Sequence, residues 1–289
     1  GPAEMFTKVE EMFPGQTTLG EGKWIAWITM FIVTPVGSFM GPQIWARFYS
    51  VKSPQTFNYM PFLLALAAIA YIGSMLTGNT GKLMYPDPDQ LINSNPDYIL
   101  PTVLFNNAPF VIGSVLMACG AAAAMSTANA QVLSLSTIYT MDFHRKYVNK
   151  NLSERRLIWV GRWAILFFSA TAYILMLVVP GLLVTVGLIA LGGTAQIMIP
   201  TCGALFWPRS TKVGAASGLV VGIGLIILFT FTPLTPPGIF AAGGGTLFAL
   251  LCNIVVFIVV SLVTKPRSDT LMTLLKEQYA DFYHGRNMD

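Results

Sequence analysis

The feature that most constrains this sequence is an apolar run that extends without a charge from Pro109 to about Met141. As a helix, a run of this length reaches about 45–50 Å, more than the roughly 30 Å hydrocarbon core of a bilayer. Similar runs recur along the chain between short polar loops. Only 10% of the residues are charged, whereas soluble domains carry roughly 25%. The sequence therefore predicts an all-α polytopic membrane protein, because a helix satisfies its own backbone hydrogen bonds in lipid.

Hydropathy divides the chain into about seven transmembrane helices. The expected spans are 24–48, 61–77, 109–141, 157–179, 182–207, 213–232 and 239–263. The first span contains Pro35, Gly37 and the pair Gly41-Pro42, which predict a kinked or broken helix. Broken helices mark binding sites in transporters, and a simple proline kink fits the same residues. A short surface helix is expected over 97–107, and the tail 268–289 has the apolar spacing of an amphipathic helix lying on the membrane or on a loop.

The loops indicate the orientation. Basic residues concentrate on alternate loops, namely Arg47 and Lys52, the segment 144–156, Arg209 and Lys212, and Lys265 and Arg267. We expect the protein to lie in the plasma membrane. The positive-inside rule then places the N-terminus of this chain outside the cell and its C-terminus in the cytoplasm. The net charge of +4 is not a nucleic-acid signal, since the cations sit in these loops, and no nucleic-acid partner is expected.

The residues offer little for enzyme chemistry. The sequence has two histidines, His144 and His284, both in expected cytoplasmic segments, and no carboxylate within an expected span. Metal-ligand spacing of Cys and His, a phosphate loop, and a nucleophile beside a base are all missing from the sequence. The chain is therefore expected not to be an enzyme and to need no organic cofactor. The lack of an intramembrane carboxylate also favours sodium over proton coupling in a transporter.

The centre of the long apolar run carries the candidate ion site. Ser126 and Thr127 fall near the bilayer midplane, where a hydroxyl is costly without a partner. The preceding alanines let a helix or an ion approach closely. Small residues beside two hydroxyls at this depth indicate an oxygen cage for a hard monovalent cation. Ordinary helix packing, with each hydroxyl bonded to a carbonyl one turn earlier, explains the same residues.

Two segments resemble the solute:sodium symporter family, which includes bacterial proline, pantothenate and small-monocarboxylate permeases. Gly41–Phe48 (Gly-Pro-Gln-Ile-Trp-Ala-Arg-Phe) is similar to that family's Pro-His-x-x-x-Arg-Phe segment. Ala123–Gln131 (Ala-Ala-Met-Ser-Thr-Ala-Asn-Ala-Gln), followed by Met141-Asp142, is similar to its Ala-x-Met-Ser-Thr helix with an acidic cap. The resemblance extends from about Trp24 to Val263.

The resemblance implies the C-terminal part of a leucine-transporter-type fold, which is built from two inverted repeats. It divides the chain into an external or interfacial segment (1–23), core helices of the second repeat (24–207), accessory helices (208–263) and a cytoplasmic tail (264–289). On this alignment the chain begins after the fifth core helix. The first repeat would then come from a longer form of the same protein or from a second chain.

Site residues follow from the same resemblance. The Ala123 carbonyl and the Ser126 and Thr127 hydroxyls would supply part of a Na⁺ site. Substrate contacts would be Phe39, Gly41 and Gln43 in the broken span, with Gln196 opposite, although an intramembrane glutamine also serves as a helix–helix hydrogen bond. Gln43 departs from the family's histidine, so the resemblance assigns no particular solute.

The expected function is sodium-coupled symport of a small organic solute, such as a monocarboxylate or pantothenate, across the lipid bilayer by alternating access. The alternative is a transporter-like membrane domain that senses a solute for a signalling module. A third case is a truncated or split product, which would transport nothing alone.

Overall fold

Helices account for the ordered secondary structure throughout the described part of this computed structural model. The structure describes residues 1–15, 20, 22–53, 55–178, 183–265 and 277. Six of its helical segments are long and apolar enough to cross a membrane, and a bent pair of helices is a seventh candidate. This confirms the all-α polytopic fold with about seven spans. The expected amphipathic helix at 268–289 lies outside the described residues, except for Glu277.

The chain forms two units, and the first comprises Gly1–Leu19 and Pro42–Leu183. Its helices are α1 (Pro2–Met12), α3 (Pro42–Tyr49), α4 (Thr56–Met84), α5 (Ile99–Asn107), α6 (Phe110–Thr137) and α7 (Glu154–Val178). A π-helical stretch, Ile138–Val148, continues α6. The Ser136 hydroxyl of α6 donates to Gly161 O of α7 at 2.9 Å, so a polar bond supplements the apolar contact between these helices.

The second unit comprises Gly20–Gly41 and Val184–Asp289. Its helices are α2 (Trp24–Phe39), α8 (Leu183–Ala195, whose first residue belongs to the first unit), α9 (Met198–Phe206), α10 (Lys212–Phe231) and α11 (Gly245–Val263). Ile25 and Val33 of α2 pack with Ala195 and Leu247 in its apolar core. This unit buries more of its apolar helices: 33% of the apolar stretch of α11 is buried, against 6% of that of α6.

Several helix boundaries differ from the hydropathy prediction. Helix α4 continues to Met84, where Thr80 Oγ1 donates to Met5 Sδ at 3.3 Å and Lys82 Nζ lies 4.3 Å from the Phe13 ring centre. Packing of α1 against this end therefore supports helix beyond the apolar run. Helix α11 begins at Gly245 rather than Ile239, because Gly243 has a φ of +90° and interrupts the chain there. The expected surface helix over 97–107 is present as α5.

Candidate functional site

The three predicted sodium ligands lie on one exposed turn of α6, in the first unit. Thr127 Oγ1 donates to Ala123 O at 3.2 Å, so the hydroxyl and the carbonyl are adjacent. Ser126 precedes Thr127 and is also exposed. All three residues are therefore exposed on this turn. The same bond to the previous turn is also the geometry of ordinary helix packing, so these residues remain a predicted site.

The predicted substrate residues are divided between the units. Phe39 is 45% exposed at the C-terminal end of α2, and Gly41 is buried in the link that follows. Both belong to the second unit, as does Gln196. Gln43 is half-buried in the first turn of α3, in the first unit. The structure thus brings Phe39, Gly41 and Gln196 into one unit, and Gln43 into the same unit as the predicted sodium ligands.

The first span is broken between α2, which ends at Phe39, and α3, which begins at Pro42. The helix continues through Pro35 and ends at the residues before Pro42. Since Pro42 has no N–H to donate to Ser38 O, the Gly41 N–H donates to that carbonyl instead, at 3.3 Å. Gly37 O is thereby released from its helical partner, and it accepts a hydrogen bond from Thr194 Oγ1 of α8 at 2.9 Å.

The contact between α2 and α8 depends on a glycine. A Cβ at Gly37 would collide with the backbone carbonyl of Leu191, so only glycine allows the two helices to approach so closely. The expected interruption of the first span is therefore present, and the structure adds that its released carbonyl is bonded by another helix. Re-satisfaction of a freed carbonyl by a neighbouring side chain is what allows a helix to break at membrane depth.

A second break, between α8 and α9, was not expected from the sequence. The Gln196 and Ile197 N–H groups donate to Gly193 O and Thr194 O at 3.3 and 3.1 Å. Each bond joins residues three apart in the sequence, whereas α-helical bonds join residues four apart. Pro200 has no N–H to donate to Gln196 O. Asn253 Nδ2 of α11 donates to this carbonyl at 3.0 Å. The sequence signals were Pro200 and the intramembrane Gln196.

Both polar atoms of the Gln196 side chain form hydrogen bonds within the second unit. Gln196 and Asn253 are both 0% exposed. Asn253 Nδ2 donates to Gln196 Oε1 at 3.0 Å, and Gln196 Nε2 donates to Gly192 O at 3.4 Å. The bond from Asn253 is the helix–helix hydrogen bond that we expected at Gln196 as the alternative to a substrate contact.

Glycines of α10 make room for these amides. A Cβ at Gly218 would collide with Asn253 Oδ1, and a Cβ at Gly222 would collide with Gln196 Oε1. One turn earlier, Gly214 faces the Ser261 hydroxyl in the same way. The spacing of four residues places all three glycines on one face of α10, and Cα–H contacts to the facing oxygens are typical of such interfaces. Sequence reasoning noted neither this stripe nor Asn253.

Comparison with known proteins gives a consistent assignment. The model of the family described as "Sodium:solute symporter family" matches residues 6–222. A sodium/proline symporter of Haemophilus influenzae is 29% identical over 93% of this chain and 53% of its own length. The osmoregulated proline transporter OpuE of Bacillus subtilis is 24% identical over 92% of this chain and 54% of its length. The Escherichia coli sodium/proline symporter is 26% identical over 75% of this chain and 45% of its own length.

These relatives are named as transporters, and none of the three is named as a sensor. They are named for proline rather than for pantothenate or a simple monocarboxylate. The chain spans about half the length of the curated relatives that it matches. With the family model matching most of its residues, this multi-pass membrane chain belongs to the sodium:solute symporter family.

Proposed function

We propose that this chain is the part of a sodium-coupled symporter that contributes the α6 half of a Na⁺ site. The observation that carries the proposal is the exposed turn of α6 on which Thr127 Oγ1 contacts Ala123 O at 3.2 Å, with Ser126 as the preceding residue, within the segment that matches the family. Hydroxyl and carbonyl oxygens suit a hard cation. Their exposure leaves room for an ion and for further ligands.

The rest of the cage would come from a segment that the full-length relatives have and this chain does not span, in the same polypeptide or in a second chain. The complete assembly would have the leucine-transporter type of fold. Sodium binding would stabilise one conformation and raise the affinity for the solute, and alternating access would then move both across the membrane. The basic loops favour a plasma-membrane orientation with the N-terminus of this chain outside and its C-terminus in the cytoplasm.

The solute that we propose first is proline, a small molecule that carries a carboxylate, because several relatives are named for it. Phe39, Gly41 and Gln43 are the proposed contacts because they flank the interruption of the first span along the sequence, and a broken helix presents backbone groups to a ligand. Gln196 is left out of this set because Asn253 and Gly192 already occupy its amide.

The test is uptake of labelled proline, pantothenate and a monocarboxylate by the natural protein, expressed from its complete gene and reconstituted in liposomes. We expect a sodium gradient to drive the uptake of proline. Ser126→Ala and Thr127→Val should each raise the sodium concentration that gives half-maximal uptake. Thr137→Val is the matched control, because the Thr137 hydroxyl also bonds one turn back in α6, to Leu133 O at 2.8 Å. Uptake that ignores both sodium and these substitutions would contradict the proposal.

A further inference from the structure

The break that ends α2 and the break between α8 and α9 share one construction. Each is followed by a proline, Pro42 or Pro200, whose missing N–H removes a helical hydrogen bond. Each has a released carbonyl, Gly37 O or Gln196 O, which accepts a hydrogen bond from a side chain of another helix. The two donors are Thr194 and Asn253, and they differ in how many other acceptors they can reach.

Thr194 has a choice of acceptors. Its hydroxyl carries one proton, and Oγ1 lies 2.9 Å from Gly37 O, 3.1 Å from Leu191 O and 3.3 Å from Ala190 O. The last two carbonyls belong to its own helix, α8. If the end of α2 moves away, the proton can turn to Leu191 O, and the hydroxyl keeps an acceptor. The Thr194 hydroxyl therefore keeps an acceptor whether the bond between α2 and α8 is closed or open, and the cost of opening falls on Gly37 O alone.

Asn253 has no such freedom. Its Nδ2 holds both Gln196 O and Gln196 Oε1 at 3.0 Å, and the residue is 0% exposed. Its Oδ1 accepts no hydrogen bond from any residue that the structure describes, and it faces Gly218, where a Cβ would not fit. Loss of the Asn253 amide would leave Gln196 O without a donor in a buried site, which is expensive at membrane depth.

We propose that Thr194 is a reversible latch between the end of α2 and α8, and that Asn253 is a fixed pin that holds the α8–α9 break against α11. Both are positioning residues, and the proposal rests on the transport function proposed above. In the transport cycle the latch opens and closes as the α2 end moves, while the pin keeps the α8–α9 break in one shape. The latch therefore adjusts the balance between two conformations, and the pin does not.

The first test needs no transport. Hydrogen exchange of backbone amides is followed in the natural protein in nanodiscs, with sodium chloride or choline chloride. In the wild type, sodium should change the exchange of Met40 and Gly41 at the end of α2, and leave that of Gln196 and Ile197 unchanged. Thr194→Val should remove the sodium effect and speed exchange at Met40 and Gly41, whereas Thr194→Ser, which keeps the hydroxyl, should behave as the wild type.

The matched control is Thr230→Val in α10, whose hydroxyl bonds only one turn back, to Ile226 O at 2.7 Å. Asn253→Leu should speed exchange at Gln196 and Ile197 under both salts. If Asn253→Leu does not fold, Asn253→Ala, which removes the amide donor without adding bulk, should give the same pattern. Unchanged exchange at Met40 and Gly41 in Thr194→Val, in either salt, would overturn the latch. Unchanged exchange at Gln196 in both Asn253 variants would overturn the pin.

Uptake gives the second test. Loss of one hydrogen bond changes a two-state balance by a factor of about 3 to 10. Thr194→Val should lower the maximal uptake rate by about that factor, with the KM for the solute changed less than about twofold, and Thr194→Ser should restore the rate. An equal rise in KM without a change in rate would contradict the latch. If the wild type takes up no solute, the proposed function fails, and hydrogen exchange still decides the latch and the pin.

Discussion

Helix α6 of the first unit and α10 of the second are both rich in small residues, yet they use them differently. A Cβ added at Gly120 of α6 would meet no atom within 4 Å in the described structure, whereas one at Gly218 or Gly222 would collide with an amide oxygen. Thr127 bonds within its own helix, while Asn253 bonds another. The glycines Gly218 and Gly222 therefore mark close packing on one face of α10, whereas the small residues around Gly120 lie on an open, oxygen-bearing face of α6.

The largest effect should come from filling the packed face. Gly222→Ala places a methyl group against Gln196 Oε1, and overpacking of this kind costs about 1–3 kcal/mol of folding free energy. Gly224→Ala, two residues away with open space, and Gly120→Ala in α6 should be neutral or gain up to about 1 kcal/mol from helix propensity. Thermal unfolding in nanodiscs compares the three. Equal shifts of the unfolding temperature in all three variants would show that the packed face of α10 and the open face of α6 do not differ.

A smaller effect separates the two kinds of hydroxyl within α6. Ser136 is 3% exposed and bonds α7 through Gly161 O. Ser136→Ala should therefore destabilise the protein by about 0.5–1.5 kcal/mol, the range of interhelical hydrogen bonds in membranes. Thr137→Val removes an exposed bond within the same helix and should change stability by less than about 0.5 kcal/mol. Thermal unfolding again measures both variants. A larger loss of stability in Thr137→Val than in Ser136→Ala would contradict this interpretation.

The smallest effect concerns α1. The Lys8 ammonium, 3.1 Å from the Glu4 carboxylate, lowers the pKa of Glu4 below its usual 4.5. A lowered pKa means that the pair supports α1 above the usual pKa and that the support is lost as the pH falls below it. A nitroxide attached at Glu11→Cys, in a protein without its native cysteines, should therefore become more mobile on acidification. Glu4→Gln should abolish that change. An unaltered pH response in Glu4→Gln would show that another group causes it.

Sequence patterns predicted the spans because a run of apolar residues has few alternatives to a membrane helix. The break after α2 was also predictable. Gly41 gives the backbone more freedom, and Pro42 lacks the N–H that would donate to a carbonyl of the preceding turn. The α8–α9 break was harder to foresee. Pro200 alone fits either a kink or a break, and the group that stabilises the break, Asn253, comes from a helix much later in the chain.

The candidate sodium residues could be named from a short sequence motif, and the structure adds their shared turn. What the sequence could not supply is the partner of each polar side chain. From the sequence, Gln196 could be a solute contact, although a helix–helix hydrogen bond is the commoner role of such a residue, and only the positions of Asn253 and Gly222 show that its amide is occupied within the unit. Predicting such pairs requires the packing of helices, which hydropathy does not specify.

The central claim is that the exposed turn of α6 binds sodium, and equilibrium binding of radioactive sodium to the natural protein in nanodiscs tests it most directly. Ser126→Ala and Thr127→Val should each weaken binding about tenfold or more, equivalent to about 1.4 kcal/mol. Thr127→Ser should restore most of the affinity, and Thr137→Val should leave it unchanged. Sodium binding that is equally strong in Thr127→Val and Thr137→Val would contradict the claim and assign these hydroxyls to helix packing.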